Sequence, residues 1–222
     1  MRTTTTPPGD VLSAAPSWEG GIRRAALLLA RLMLAYLFFV NLFWKLPPDF
    51  GCPPDFRFTT ARPDGSLNRS SGLCDWIGVE EVWSTRERKL LDGPGPIEVP
   101  IGPLARLNGA IIDNVVQPGI RVFGWVLWLT EAWVVASLFL GLLSRLGGLA
   151  ALGLAIHLMI GLGGISQPFE WEWGYNQMVL LSLLMVAFAP GRFVGLDAWL
   201  RPRLAARAAR GSPVGRLLLA LT

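Results

Sequence analysis

Four long apolar stretches run through the chain, and polar segments of very different length separate them. The stretches cover residues 22–46, 120–143, 146–165 and 174–194. Each is close to the roughly 20 residues that a helix needs to cross the hydrocarbon core of a bilayer. None alternates apolar and polar residues as the strands of a membrane barrel do, and a helix satisfies its own backbone in lipid. The pattern therefore predicts an all-α integral membrane protein, a four-transmembrane-helix bundle.

The polar segments predict a long insert and two tails. Residues 47–118 lie between the first two predicted helices and contain two proline-rich, turn-forming segments, "PPDFGCPPDF" and "DGPGPIEVPIGP". Inside this insert, "GVEEVWSTRERKLL" predicts a short helix, and "PLARLNGAIIDNVVQPGI" predicts an amphipathic one. Residues 1–21 predict a flexible tail. Residues 201–222 predict a basic tail, which is either an amphipathic helix held by anionic lipid or a solubilising extension.

Composition supports a membrane setting and argues against nucleic acid. Hydrophobic residues make up 52% of the chain and charged residues 16%, whereas typical soluble domains are about 25% charged. Mean hydropathy is +0.44. The net charge of +4 comes from arginines beside apolar runs, not from a clustered basic face of the kind that binds nucleic acid.

The arginines also predict orientation. Arg23 and Arg24 lie at the start of the first stretch, Arg145 lies between the second and third, and a basic run follows the fourth. With four spans, all of these fall on one side, which the positive-inside rule makes cytoplasmic. Both termini are then cytoplasmic, and the 47–118 insert is extracytoplasmic.

Two cysteines, Cys52 and Cys74, both fall in the insert. An extracytoplasmic compartment permits a disulfide between them, which would stabilise the fold by about 3 kcal/mol. A redox-active pair and free thiols are the alternatives, although the chain has no CxxC motif. One histidine and two distant cysteines do not predict a metal or iron–sulfur site.

Three ionisable residues lie inside the predicted spans, where charge is costly and often functional. A rise of 1.5 Å per residue places Arg31, Glu131 and His157 about 12, 18 and 17 Å from the cytoplasmic edge. We therefore expect them to meet in the bundle core. On one interpretation they form a buried salt bridge that fixes helix register. On the other they form a catalytic site that handles protons or a quinone headgroup.

The stretch "QPFEWEWGYNQ" joins the third and fourth apolar segments at the predicted outer surface. Its aromatic rings suit the membrane interface, with Glu170 and Glu172 facing water. Alternatively, Glu172 and Tyr175 turn inward. In that case Glu170, Glu172, Tyr175 and Asn176 form an outer mouth above the ionisable core.

Three short motifs resemble one family. They are "NLFWKLP", "TEAWVVASLFLGLLSRLGG" and "FAPGRFVGLDAWL". Together they resemble the DoxX-like membrane proteins, in particular the DoxD-type small subunits of thiosulfate:quinone oxidoreductases. The resemblance covers residues 22–46 and 120–200. The matching positions are Lys45, Glu131, Gly141, Arg145, Gly191, Arg192, Gly195, Leu196 and Asp197.

The resemblance implies a four-helix domain over residues 22–200 in a bacterial-type cytoplasmic membrane. It also implies an oxidoreductase subunit with quinone as a non-covalent cofactor, acting with partner subunits that the insert would contact. A non-catalytic accessory subunit of a respiratory or photosynthetic complex is the alternative, and a small-solute transporter is a weaker one.

The signature residues themselves carry structural expectations. Lys45 ends the first span and would reach outward to water. Pro190 and Gly191 would end the last span, and Arg192 would cap carbonyls or contact lipid phosphate. Asp197 would be the N-cap of a following surface helix.

Overall fold

The computed structural model describes residues 17–58, 72–92, 98–165 and 172–222, and helices dominate it. The first half comprises α1 (Ser17–Leu42) with a 3₁₀ turn (Phe43–Lys45), α2 (Leu73–Ser84), β1 (Lys89–Asp92), β2 (Glu98–Pro100), and α3 (Gly102–Ile111) with a π turn (Ile112–Val116). The second half comprises α4 (Ile120–Leu140), α5 (Ser144–Leu162), α6 (Glu172–Phe188), a 3₁₀ turn (Pro190–Arg192), α7 (Leu196–Ala209) and α8 (Pro213–Leu221).

Three helical segments are long and apolar enough to cross a membrane: Trp18–Lys45, Ile120–Leu140 and Ser144–Leu162. Their composition is that of a multi-pass membrane protein. The fourth apolar helix, Gly174–Phe188, is shorter than these three. It ends before the predicted residue 194 because Pro190 lacks a backbone N–H and interrupts the helix.

The long helices pack through narrow, small-residue faces. α4 packs against α1 and α5, and α6 packs against α5 and α1. On α1, Arg31, Leu34 and Phe38 lie on one buried face at helical spacing. On α5, a Cβ at Gly148 would lie 2.7 Å from the Cβ of Met185, so only glycine permits this approach of α5 to α6.

The described parts of residues 47–118 cover one end of the long helices, which we call the insert end. α2 packs against α3 and α5. The predicted Cys52–Cys74 disulfide is confirmed, and its Cα atoms are 5.2 Å apart. It ties the first turn of α2 to the chain that follows α1. The amphipathic helix predicted from "PLARLNGAIIDNVVQPGI" is present as α3 and its π turn. The helix predicted from "GVEEVWSTRERKLL" is present only in part, because α2 ends at Ser84 and the last residues of that stretch form β1, which pairs with β2.

The opposite end of the long helices, which we call the turn end, is built on a close contact between two glycine-containing turns. Gly141 ends α4 with φ at +63°, in the left-handed region that suits glycine. A Cβ at Gly195 would lie 2.9 Å from the Cα of Gly141, and a Cβ at Gly191 would lie 2.6 Å from Asp197 Oδ2. The glycines therefore bring the start of α7 against the α4–α5 turn.

Asp197 uses this approach to cap a helix that is not its own. Its Oδ1 accepts from Leu143 N at 2.7 Å and its Oδ2 from Ser144 N at 2.8 Å, so the fully buried carboxylate caps the start of α5. The expectation that Asp197 is the N-cap of the following helix is wrong. Gly195 occupies the N-cap of α7, and Asp197 lies within the first turn of that helix.

We expect Asp197→Ala to lower the free energy of unfolding by about 2 kcal/mol, since it leaves two amides at the start of α5 without an acceptor. Asp197→Asn should fall between this variant and the wild type, because the amide keeps one acceptor oxygen. Thermal unfolding in detergent measures the effect, with the exposed Asp113→Ala as control. Equal unfolding temperatures for Asp197→Ala and Asp113→Ala would contradict the capping role.

Candidate functional site

A cavity of ≈ 120 Å³ lies at the insert end, between α1, α4, α5 and α6, with α2 above it. Its walls are largely apolar, and four acidic or basic side chains line it: Lys45, Glu80, Glu131 and His157. Each comes from a different helical segment. In the ranges that the structure describes, no three His, Cys, Asp or Glu side chains are grouped to hold a metal ion.

Lys45 and Glu131 form an ion pair on one side of the cavity. Lys45 Nζ donates to Glu131 Oε1 at 2.6 Å, and the Glu131 carboxylate is almost completely buried, at 4% exposed. Its second oxygen, Oε2, has no hydrogen-bond partner among the described residues. A buried carboxylate oxygen of this kind can accept a hydrogen bond from a ligand in the cavity.

Glu80 approaches the cavity from α2 and is 3% exposed. Its Oε2 accepts from Asn108 Nδ2 at 2.8 Å and lies 3.5 Å from His157 Nε2. Gly161 of α5 makes room for it, because a Cβ there would lie 2.3 Å from Glu80 Oε2. The His157 side chain is 44% exposed, so the imidazole joins the buried carboxyl to the surface of the protein.

Arg88 holds the insert against α5. Its guanidinium donates to the carbonyls of Ile160 at 2.8 Å, Gly161 at 2.7 Å and Gly163 at 3.1 Å. These are the last carbonyls of the helix, which lack partners within it. A cation at this position also complements the helix dipole. The same contact fixes Glu80, which lies on α2 two turns earlier in the chain.

Burial dominates the electrostatics of the insert-end groups. Burial raises the pKa of Glu80 above its ordinary value, while His157, the Asn108 hydrogen bond, Arg88 and Lys45 act in the opposite direction. Burial lowers the pKa of Arg88, and Glu80 partly offsets this. Guanidinium remains protonated in proteins, so Arg88 is a fixed charge and Glu80 is the group able to titrate.

The chain matches no family model, no curated protein and no solved structure. The resemblance to DoxX-like proteins therefore rests on the short motifs alone, and the cavity itself carries the functional argument.

Of the three ionisable core residues predicted to meet, Arg31 lies elsewhere. Its guanidinium donates to the carbonyl of Val194 at the turn end. A Cβ at Gly141 would lie 2.5 Å from Arg31 Nη1, so Arg31 is level with the end of α4. Depth counted from residue 22 was misleading because α1 begins at Ser17 and its first turns extend past the α4–α5 turn.

Lys45 takes the place beside Glu131 that was expected for Arg31. Its side chain pairs with Glu131 and does not reach outward to water, contrary to the prediction.

The predicted outer mouth is only partly represented. Tyr175 is buried and lines the cavity, and Asn176 is exposed. Glu170 lies outside the described residues. Of the flexible tail predicted over residues 1–21, residues 1–16 also lie outside them, and the prediction is wrong for residues 17–21, which form the start of α1. Glu172 begins α6, but its side chain also lies outside what the structure describes.

The remaining signature residues gather at the turn end, away from the cavity. Arg145 donates to Val186 O at 2.9 Å and to Ala220 O at 3.0 Å. Arg192 donates to the O atom of Thr222 at the end of α8, and not to the last carbonyls of α6. These contacts hold α8 against α5 and α6. The predicted basic tail is thus part of two helices, α7 and α8.

Three residues of the site were not predicted from the sequence: Glu80, Asn108 and Arg88. The positions of Glu80 and Asn108 in the hydrophobic pattern could have indicated them. On α2, Leu73, Ile77 and Glu80 share one helical face, so Glu80 sits where an apolar residue is expected. Asn108 similarly lies on the buried face of α3 between Ala105 and Ile112. A polar residue on the apolar face of a predicted helix is therefore the pattern to search for.

We expect Gly161→Ala to destabilise the protein by about 2 kcal/mol, because its Cβ would overlap the Glu80 carboxyl. In a Glu80→Ala background the same change should cost little. Gly153→Ala is the matched control: it lies in the same helix, and nothing is within 4 Å of its Cβ position. Thermal unfolding in detergent gives the unfolding free energies of the wild type, of the three single variants and of the Glu80→Ala/Gly161→Ala double variant. An equal cost in both backgrounds would show that Gly161 does not accommodate Glu80.

We expect Lys45→Met to destabilise the protein by about 3 kcal/mol, since it leaves Glu131 buried without its cation. The double variant Lys45→Met/Glu131→Gln should recover most of that loss. A double-mutant cycle of unfolding free energies measures the coupling. Additive losses from the two single variants would mean that the ion pair is not formed in the folded protein.

Proposed function

We propose that this protein is an integral membrane subunit of a quinone-linked oxidoreductase, with its quinone-binding site in the cavity at the insert end. The observation that carries the proposal is the unpartnered, buried Glu131 Oε2 beside Lys45 and His157 in an apolar cavity. The carbonyl oxygens of a quinone headgroup would accept from Lys45, and the hydroxyls of its reduced form, the quinol, would donate to Glu131 Oε2.

The cavity fits such a headgroup in size and in donors. Its ≈ 120 Å³ is of the same order as the roughly 150 Å³ cavity that accepts one benzene ring. Lys45 Nζ would donate to a carbonyl oxygen of the headgroup, and Phe38 and Leu127 would contact the ring. A bound quinone would supply the electron-accepting chemistry. The chain's own residues would orient it, exclude water and hold protons.

A partner protein is part of this proposal. The motifs that resemble DoxD-type subunits support an electron donor such as thiosulfate, oxidised by another subunit. We assign the membrane as bacterial-type cytoplasmic and α6 as a fourth span. Both termini would then be cytoplasmic, and the 47–118 insert would be extracytoplasmic and bind the partner. The Arg-rich turn end and the Cys52–Cys74 disulfide at the insert end support this orientation.

A non-catalytic accessory subunit is the second candidate, and one surface favours it. The outward side of α3 and its π turn is apolar and exposed over four positions at helical spacing: Leu104, Leu107, Ile111 and Val115. Such a stripe suits burial against another membrane subunit. Stoichiometric co-purification with respiratory or photosynthetic subunits, without quinone binding, would favour this candidate.

Decylubiquinone should bind the purified full chain saturably in nanodiscs and quench its tryptophan fluorescence, because Trp44 and Trp76 line the cavity. We expect Lys45→Met/Glu131→Gln to weaken binding at least tenfold, which is about 1.4 kcal/mol. Gly153→Ala, away from the cavity, is the control and should bind as the wild type does. Unsaturable quenching, or equal affinity in the double variant, would refute the proposed site.

A further inference from the structure

The Glu80–His157 contact crosses from the insert to a long helix, and the function described above does not use it. Glu80 belongs to α2 and His157 to α5, and their facing atoms are 3.5 Å apart. We propose that Glu80 and His157 form a proton-exchange pair that connects the cavity with the surface at the insert end. The use of the proton rests on the proposed function, whereas the pair itself does not.

The two carboxyl groups of the cavity have different surroundings. Glu131 has its own cation, Lys45, in direct contact. Glu80 accepts its hydrogen bond from a neutral amide, that of Asn108. The charged or titratable groups that act on it are His157 from α5, Arg88 from the end of α2 and, more weakly, Lys45 from α1. Glu131 is the carboxyl group that a cation contacts directly, and Glu80 is the one placed to pass a proton to an imidazole.

The exchange step needs no group beyond these two side chains and water. The O–H bond of the Glu80 carboxyl breaks, and an N–H bond forms at His157 Nε2. A carboxylate and an imidazolium result, and they stabilise each other. The imidazolium then loses its Nδ1 proton to water, because the ring is partly exposed and lies five residues before the insert end of α5, while Glu80 is almost fully buried. Reprotonation of Glu80 from the cavity side, together with return of the imidazole to the tautomer with a free Nε2 through exchange with water, completes the transfer.

The pair exists only while the insert is docked on α5. Arg88 donates to three carbonyls at the end of α5, and Gly161 leaves the space that Glu80 fills. Ile160 and Gly161 follow His157 by three and four residues in α5, and Gly163 comes directly after the helix. The fold therefore positions a proton donor and its acceptor on two segments that are far apart in the chain.

Infrared titration of the purified full chain in nanodiscs tests the pair directly. We expect a protonated-carboxyl band that persists above the pH range of exposed glutamates, because burial raises the pKa of Glu80. This band should vanish in Glu80→Gln and remain in Glu131→Gln. In His157→Asn its midpoint should move to higher pH, because His157 favours the carboxylate form. A band unaffected by Glu80→Gln, or a midpoint unmoved by His157→Asn, would overturn the proposal.

A second measurement needs no variant. The chain has one histidine, so nitrogen NMR of labelled imidazole reports His157 alone. Its resonance should show an inflection with pH at the midpoint of the Glu80 carboxyl band. The absence of an inflection at that midpoint would overturn the pair even if a variant failed to fold.

Decylubiquinone binding measured on the same samples separates the two proposals. Coupled titration without quinone binding would leave the pair standing and refute the proposed function. Quinone binding without coupled titration would refute the pair and leave the proposed function standing.

Discussion

Helix α5 ends inside the protein at both termini, and the rest of the structure depends on how those ends are satisfied. A helix leaves backbone amides free at its start and carbonyls free at its end. Asp197, from the first turn of α7, accepts from the amides. Arg88, from the segment after α2, donates to the carbonyls. Each charge also has the sign that complements the helix dipole.

Both caps require very close approaches, and glycines provide them. At the turn end, Gly141 and Gly195 allow two turns to touch, so Asp197 reaches the start of α5. At the insert end, Gly161 leaves room for Glu80, and Gly164 leaves room for the backbone of Lys89. The glycines at the two ends thus have the same role: each pair lets a capping segment approach α5 closely.

The cavity is a consequence of capping at the insert end. Docking of Arg88 brings α2 over the ends of the long helices, and the disulfide from Cys52 holds the first turn of α2 in place. An apolar space enclosed by helices strengthens every charge interaction within it. The Glu131 carboxyl is in contact with the ammonium of Lys45. The Glu80 carboxyl is in contact with the Asn108 amide and the His157 imidazole, with which it can exchange a proton.

The sequence by itself determined the helical class, three of the apolar helices within a few residues, the turn at Pro190 and the Cys52–Cys74 bond. These follow from local hydrophobic patterns, from backbone chemistry and from the small number of cysteines. Tertiary structure alone decided the partners of the charges: Lys45 beside Glu131, Arg31 at the turn end, Asp197 on α5 and Glu80 beside His157. Such pairings depend on how far each helix extends past its neighbour. A hydrophobic pattern does not record that offset, because it marks an apolar face along the whole helix and not the level at which another helix begins.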